Sequence, residues 1–566
     1  MRSLQPRTVR LRRAIAALGI SLTVLATAMP VDAAATTPVL TSVTIEALAD
    51  GDVQVSWGSA RNAHRWRVIV VVDDRHLGDR TFAGSARTGR ISHIPPGTKV
   101  AVGVGGITPD GTIVTWRTSS ALTTARDSSC PKTTASTCVH VNAKSTTTDV
   151  SGVGLGFLHG ITSNTDPARV DSLDVRHWRL AATDEERFRV ARRAGGEITV
   201  VLSDPWAWSF YMPSMDGRAY SPWTNWGFYG WWVTTIVQWH IDRGLIPDRW
   251  EIQNEPLPTS FDAANPPTQD TIVEQHKVAT DAIRSLLPGA KIVGPSLYPF
   301  QMGYGAVDFE AFATKAKARG LTLDGIVWHE ITGACGGCDG GPTTVLQHLD
   351  DARSALATAG LGSPPIDITE YGATYEQLQP GAIVGYLSAL SEGGVRFGGA
   401  SCWDRFDGLS AGCFAPEGTL DGLLMPDGTT PTDAWWAYEA YARLSSSGKL
   451  ARTTVDDSAT SAVSSVSGNV VRTLIGRHQG CTAADAPCPN GTTPGATETV
   501  DVRATLPSTG VWNVVVTRLS STTGESAGPQ AVTALPVVSL TGATSLGTFS
   551  LADGEVLEVV ATRAVG

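Results

Sequence analysis

Hydrophobic and polar positions change rhythm three times along the chain. Over residues 37–125 they alternate at every second position. "DVQVSWG" sets Val53, Val55 and Trp57 on one face, "WRVIVVV" follows a short turn region, and "KVAVGVGGITPDGTIVTW" doubles back across Pro109-Asp110-Gly111. Alternation broken by turn residues predicts an all-β segment. The polar stretch "TTARDSSCPKTTAST" then predicts a linker over 126–149. From about Val150 short apolar runs are separated by segments with helical spacing. The runs are "VGLGFL", "HWRLA", "ITVVL", "RWEIQ", "KIVG", "GIVWH", "IDIT" and "FGGASCW", as parallel strands buried on both faces read. Asp166-Pro167 predicts one helix start. Thr183 precedes "DEERFRVARRA", with acids first and arginines after, and "DAWWAYEAYARLSSSG" closes at Gly448. After Ser447 alternation returns in "VVRTLIGR", "ETVDVRATL", "VWNVVVTRL" and "EVLEVVATR".

Eight strand–helix units over 150–446 predict a (β/α)8 TIM barrel. An open doubly wound sheet is the rival, but "GLGFLHG" after the first strand lacks the GxGxxG phosphate turn. The size, strand number and buried-looking Trp57 of segment 37–125 resemble a fibronectin type III module, a β-sandwich. The expected fold is therefore multidomain, a barrel flanked by that N-terminal module and by a C-terminal β-sandwich over 447–566.

Residues 1–35 change the expected location. Arg2, Arg7, Arg10, Arg12 and Arg13 precede the apolar "AIAALGISLTVLATA", and small residues follow around Ala33 to Ala35. The apolar run is shorter than the ~20 residues that span a bilayer, so the segment predicts a cleaved signal peptide and a secreted, extracellular protein. The formal charge is −10, which argues against nucleic acid or an anionic membrane as partner. Eight cysteines fall as four close pairs: Cys130 and Cys138, Cys335 and Cys338, Cys402 and Cys413, Cys481 and Cys488. In an oxidising compartment such spacing favours local disulfides. "CGGC" has no further Cys or His pair to complete a zinc site, so no metal is expected.

In a barrel the reacting groups sit at the C-terminal ends of the strands. Strand four ends in Asn254-Glu255-Pro256 and strand seven in Thr369-Glu370-Tyr371. Strand one places His159 at its tip, strand two carries Arg179, strand six His329 and Glu330, and strand eight Trp403. Two glutamates facing each other across the mouth suit glycoside cleavage, in which one carboxylic acid protonates the leaving oxygen and one carboxylate attacks the anomeric carbon. The acid's pKa has to be raised and the nucleophile's kept low. Arg179 and His329 are expected to hold Glu370 ionised, and Asn254 to meet a sugar hydroxyl. Glu251, four residues before Glu255, falls about 13 Å down an extended strand at ~3.3 Å per residue and reads as structural. Glu330 competes for the nucleophile's role, though its place after strand six suits binding better. Two carboxylates suffice, so no cofactor is expected.

"WEIQNEP" and "ITEYG", on strands four and seven of such a barrel, resemble clan A glycoside hydrolases, all retaining. The Trp-Glu-x-x-Asn-Glu-Pro form, "GFLHG" on strand one and the trailing sandwich look closest to family 39, and the resemblance covers about residues 137–566. It implies a glycosidase acting on plant or microbial wall polysaccharides or their oligosaccharides, β-xylosidase-like or acting on arabinose-bearing glycans. Carried over by motif, Glu255 is the acid/base and Glu370 the nucleophile; Asn254 contacts substrate, and Arg179, His329 and Trp403 line the site. Gln253 stands where such sequences often have an aromatic residue, and "WHEITG" lacks a tyrosine frequent after strand six. The segment from Asp204 to Thr235 is the most aromatic of the chain; Trp206 is expected over the cleft as a flat surface for sugar C–H faces, while the helical spacing of Trp231, Trp232 and Trp239 predicts core. The alternative to an enzyme is a carbohydrate-binding or adhesion protein on a barrel that has lost catalysis.

Overall fold

A computed structural model describes residues 38–564, except for 50, 74, 109–111, 132–134, 203–220, 257–264, 299, 301–308, 332–341, 373–375, 403–417, 479–496, 522–523 and 540. The expected signal peptide and Trp206 lie outside the described residues, as do Trp403, Cys335, Cys338, Cys413, Cys481 and Cys488.

The strand–helix rhythm closes into a barrel. Its strands are β1 Gly156–Leu158, β2 His177–Ala181, β3 Glu197–Leu202, β4 Arg249–Ile252, β5 Ile292–Leu297, β6 Gly325–Glu330, β7 Ile366–Tyr371 and β8 Phe397–Ala400. They pair in sequence order, all parallel, and β1 pairs with β8 to shut the ring. Between and after them run α1 Pro167–Asp171, α2 Glu185–Ala194, α3 Trp226–Arg243, α4 Gln269–Leu286, α5 Phe309–Arg319, α6 Pro342–Ala359, α7 Pro380–Gly393 and α8 Asp433–Ser445. Side-chain caps fix several starts: Asp166 accepts from Ala168, Asn225 from Phe228, Thr268 from Thr271 and Thr432 from Trp435. Each satisfies an N–H that the first turn leaves open. For α2 the cap is Asp184, not the expected Thr183. Its carboxylate also pairs with Arg187, which the hydroxyl has no charge to do. Trp232 is buried as expected, but Trp231 is 53% exposed beside half-buried Phe228: adjacent residues on a helix point about 100° apart, so both cannot face one core.

Residues 38–125 form two sheets around one apolar core that contains Val53, Val55, Trp57 and Trp66. The strand Arg75–Ala83 lies against the start of α6. Arg80 pairs with Asp351, Ser92 and His93 reach Asp350, and Arg65 reaches Glu310. The module is thus seated on the barrel's outer helices.

The expected linker is corrected in its second half. Thr137–Asp149 is a thirteen-residue strand, antiparallel to Lys449–Val455 and parallel to Glu498–Thr505. Val139, Val141 and Ala143 face the core; the alternating Ser, Thr and Asn positions gave the segment its polar look. It lies inside one nine-stranded sheet in the order Gln530–Ser539, Gly510–Leu519, Val556–Arg563, Val470–Arg477, Thr460–Ser467, Lys449–Val455, Thr137–Asp149, Glu498–Thr505, Thr544–Leu551. All nine strands are hydrogen-bonded in that single order, and their apolar core includes the fully buried Trp512. Helix α7 packs on this sheet. A side chain at Gly381 would meet the Arg477 carbonyl oxygen at 2.0 Å, so helix and sheet touch backbone to backbone.

Cys130 and Cys138 are disulfide-bonded, with Cα atoms 5.8 Å apart. Cys402 is also disulfide-bonded, and its expected partner, Cys413, lies outside the described residues.

Candidate active site

Strand β4 stops at Ile252, and the chain then kinks. Gln253 (φ 78°) and Glu255 (φ 47°) both adopt the left-handed conformation that non-glycine residues avoid. The Glu255 N–H bonds the Ser296 carbonyl at 2.9 Å, while the Gln253 side chain joins Gln275 and accepts from the Asn254 N–H. Backbone strain of this kind costs about 1–3 kcal/mol per residue and persists only where neighbours enforce it. Here it turns Asn254 and Glu255 inward over the barrel mouth.

Arg179 is wholly buried at the centre of the cluster. Its Nε donates to Glu251 Oε2 at 2.9 Å, and Nη2 to Glu251 Oε1 at 2.8 Å and Asn254 Oδ1 at 2.7 Å. Its Nη1 donates to Glu370 Oε1 at 2.5 Å. An arginine only donates, so it is the Asn254 oxygen that faces it, and the amide nitrogen takes no part in that contact. His329 is next to Glu370 in the β6–β7 register. Its Nδ1 lies 2.8 Å from Glu255 Oε1 and 3.8 Å from Glu370 Oε1. One oxygen of Glu255, one of Glu370 and one His329 nitrogen all lie within 4.8 Å of one another. The side chain of Glu255 is 24% exposed and that of Glu370 8%, so of the two Glu255 meets water more freely.

The electrostatics follow from burial and from three carboxylates facing the Arg179 guanidinium and the His329 imidazole. Burial opposes ionising Glu251, but the Arg179 charge and its paired bonds outweigh it and hold the pKa low. Burial disfavours charge on His329 too, yet Glu370 and Glu255 raise its pKa. For Glu370 burial pushes the pKa up. His329 and Arg179 pull it down, Glu255 and Glu251 push it up again, and the net direction is up. The expectation that Arg179 and His329 keep Glu370 low holds for each contact but fails in the sum, because burial, helped by the charges of Glu255 and Glu251, outweighs both.

His159 also stands at a strand tip with a left-handed backbone (φ 64°), its N–H bonded to the Arg179 carbonyl. Burial first, then the charges of Arg187 and Arg179, lower its pKa to about 3, so it is neutral at physiological pH. Glu330 is buried and accepts from Trp328 Nε1 at 2.6 Å and His348 Nδ1 at 2.8 Å. Those bonds direct it away from Glu255 and make it a structural group.

A small cavity of about 20 Å³, room for one water, lies behind the wall between β7, β8, α7 and α8, not at the acid pair. Asp421 lines it and accepts from the Gly160 N–H at 3.2 Å. Burial raises its carboxyl to about 7, against the pull of that bond and of Arg187. A carboxyl raised on folding stabilises below its unfolded pKa, and that contribution is lost as pH rises through the folded value. Asp421→Asn should therefore leave the melting temperature unchanged at pH 4 and raise it at pH 8. A gain of ~5 °C, the effect of about 2 kcal/mol in a domain of this size, is expected from thermal melts at both values.

No family model matches the chain, and no curated protein matches it. Solved structures do. N2152 from Neocallimastix frontalis is 19% identical with a TM-score of 0.58, covering 76% of this chain and 100% of its own. A monomeric beta-xylosidase from Caulobacter crescentus CB15 is 16% identical with a TM-score of 0.54, covering 76% and 100%. The GH39 enzyme from Xanthomonas axonopodis pv. citri is 12% identical with a TM-score of 0.52, covering 75% and 97%. The likeness shows the fold: a closed (β/α)8 barrel with β-rich additions, the fold of clan A glycoside hydrolases.

Proposed function

We propose that the protein is a secreted, retaining glycoside hydrolase. The observation that carries this reading is the meeting of Glu255 and Glu370, on the β4 and β7 tips, with oxygens within 4.8 Å of each other. Retaining enzymes hold their carboxyl groups ~5–5.5 Å apart, whereas inverting ones need ~6.5–9.5 Å to admit water. In the proposed cycle Glu255 protonates the glycosidic oxygen while Glu370 attacks the anomeric carbon and forms a glycosyl ester. Glu255 then takes a proton from water, which attacks that carbon and releases Glu370. The Nη1 bond from Arg179 favours charge on Glu370 during attack, and the Asn254 amide is oriented to donate to a sugar hydroxyl.

Plant or microbial wall polysaccharides or their oligosaccharides are the proposed substrates, with β-xylosidase-like or arabinose-glycan activity the finer reading. The xylosidase fold neighbour supports it. Disulfide-bonded Cys130, Cys138 and Cys402 support an oxidising, extracellular setting. A sugar-binding protein without catalysis has no use for an acid, a nucleophile and a buried cation in one cluster. Segment 38–125 is proposed as a fibronectin type III-like module fixed to the barrel.

Glu255→Gln tests the reading on a panel of aryl glycosides and wall oligosaccharides. General acid catalysis contributes ~10²–10⁴-fold, so unactivated substrates should lose about that much. Dinitrophenyl glycosides, whose leaving group needs no proton, should still give the glycosyl ester, and azide should restore turnover with a glycosyl azide of retained anomeric configuration. A wild type inert on the whole panel would sink the proposal.

A further inference from the structure

We propose that Glu251 is a positioning residue of the reaction, acting through Arg179. This rests on the reading of Glu255 and Glu370 as the working pair, and the experiment below separates the two. Glu251 is completely buried at a height in the barrel where structural apolar residues would normally fill a layer. Its two oxygens take Nε and Nη2 of Arg179 side-on. Ser296 from β5 and Thr369 from β7 add hydroxyl bonds to Oε1, the second at 3.2 Å. Glu251 therefore ties β2, its own β4, β5 and β7 together around one guanidinium.

The consequence is orientational. Two bonds to one carboxylate fix the guanidinium plane. With Nε occupied, Nη1 is aimed at Glu370 and the second N–H of Nη2 at Asn254. Without Glu251, Arg179 would be free to turn its paired face onto Glu370, the other carboxylate it touches. Asn254 would lose the partner that orients its amide. The Glu251 charge also acts directly: it is one of the groups that push the Glu370 pKa upward. A carboxylate that merely balanced charge would need neither the paired geometry nor the hydroxyl bonds from two other strands.

Two variants separate geometry from charge. Glu251→Gln removes the charge and Glu251→Asp keeps it but shortens the reach by one methylene. Each is measured for kcat, KM, the pH–rate profile, melting temperature and the rate of covalent labelling by a 2-deoxy-2-fluoro glycoside. Both are expected to lose about 10²-fold in kcat with KM changed less than threefold. The acid limb should move down by about one pH unit in Glu251→Gln, because a like charge beside Glu370 is gone, and stay in place in Glu251→Asp. NMR titration of the His329 imidazole gives a readout independent of turnover. Its pKa should fall in Glu251→Gln alone, since Glu251 and His329 attract each other when both are charged. Wild-type kcat in either folded variant would overturn the proposal. So would a loss of kcat that tracks melting temperature, with neither the limb nor the His329 pKa moved. Should Glu251→Gln fail to fold, a kcat in Glu251→Asp at the wild-type level overturns it, and a 10²-fold loss at an unchanged melting temperature supports it. Failure of wild type to label at Glu370 would instead strike the proposed function and leave the Arg179 geometry standing.

Discussion

Glu370→Gln is expected to abolish turnover, with kcat down by at least about 10⁴-fold, or ~5.5 kcal/mol at 1.4 kcal/mol per decade. The amide keeps the shape of the carboxyl but does not attack the anomeric carbon, and among the described residues no other carboxylate is placed to substitute. Glu255 lies on the opposite side of the cleft as the proposed acid, Glu251 is sealed beneath Arg179, and Glu330 is held by Trp328 and His348. Oligosaccharide binding should survive within about threefold, because the amide still accepts from Arg179. Calorimetric titration beside steady-state kinetics separates the two effects, and mass spectrometry of the fluoro-sugar adduct should find label on Glu370 in wild type and none in the variant. Turnover at the wild-type rate would mean that the nucleophile is another residue.

The second large effect is expected for Arg179→Met. Methionine keeps the apolar bulk of the arginine stem, but the substitution leaves Glu251 and Glu370 buried without their shared cation. Removing one partner of a buried ion pair costs about 3–5 kcal/mol, and here two carboxylates are orphaned. Chemical denaturation should show a loss of at least that size at pH 7 and a smaller one at pH 4, where the carboxyls can protonate. The sign follows from linkage: Arg179 pulls both carboxyl pKa values down, so its contribution is present above their unfolded values and fades as pH falls. In any folded fraction the acid limb of the pH–rate profile should move upward. Arg179→Lys should recover part of the stability and little of the rate, since one ammonium does not reproduce three fixed directions. Equal stability of Arg179→Met at pH 4 and pH 7 would contradict this account.

The barrel was legible in the sequence because parallel strands buried on both faces leave short apolar runs, and all eight fall within a few residues of the observed strands. Glu255 and Glu370 were legible as strand ends. Glu251 was read as structural, and it is wholly buried; its bonds to Arg179 were not legible, because a distance counted along an extended strand assumes negative φ throughout. The left-handed turn at Gln253 falls between Glu251 and Asn254, and both side chains accept from one nitrogen of Arg179. Nothing local announces such turns in residues other than glycine. The strand at Thr137–Asp149 was hidden differently. Its partners lie about three hundred residues downstream, and only pairing converts a polar, threonine-rich stretch into sheet. The upward direction of the Glu370 pKa was not legible either, because it depends first on how deeply the folded chain buries that carboxyl and then on which charges the fold sets around it.

That same strand imposes an order on how the molecule is made. At ~5–20 residues per second of synthesis, the segment that begins at Thr137 waits roughly 15–60 seconds before Lys449 and its neighbours emerge to flank it. During that interval an unpaired, half-apolar edge is open to any other nascent chain. An expression boundary drawn at the first barrel strand would cut away an inner member of the C-terminal sheet, while one drawn near residue 126 keeps the clasp that ties the two ends of the barrel together.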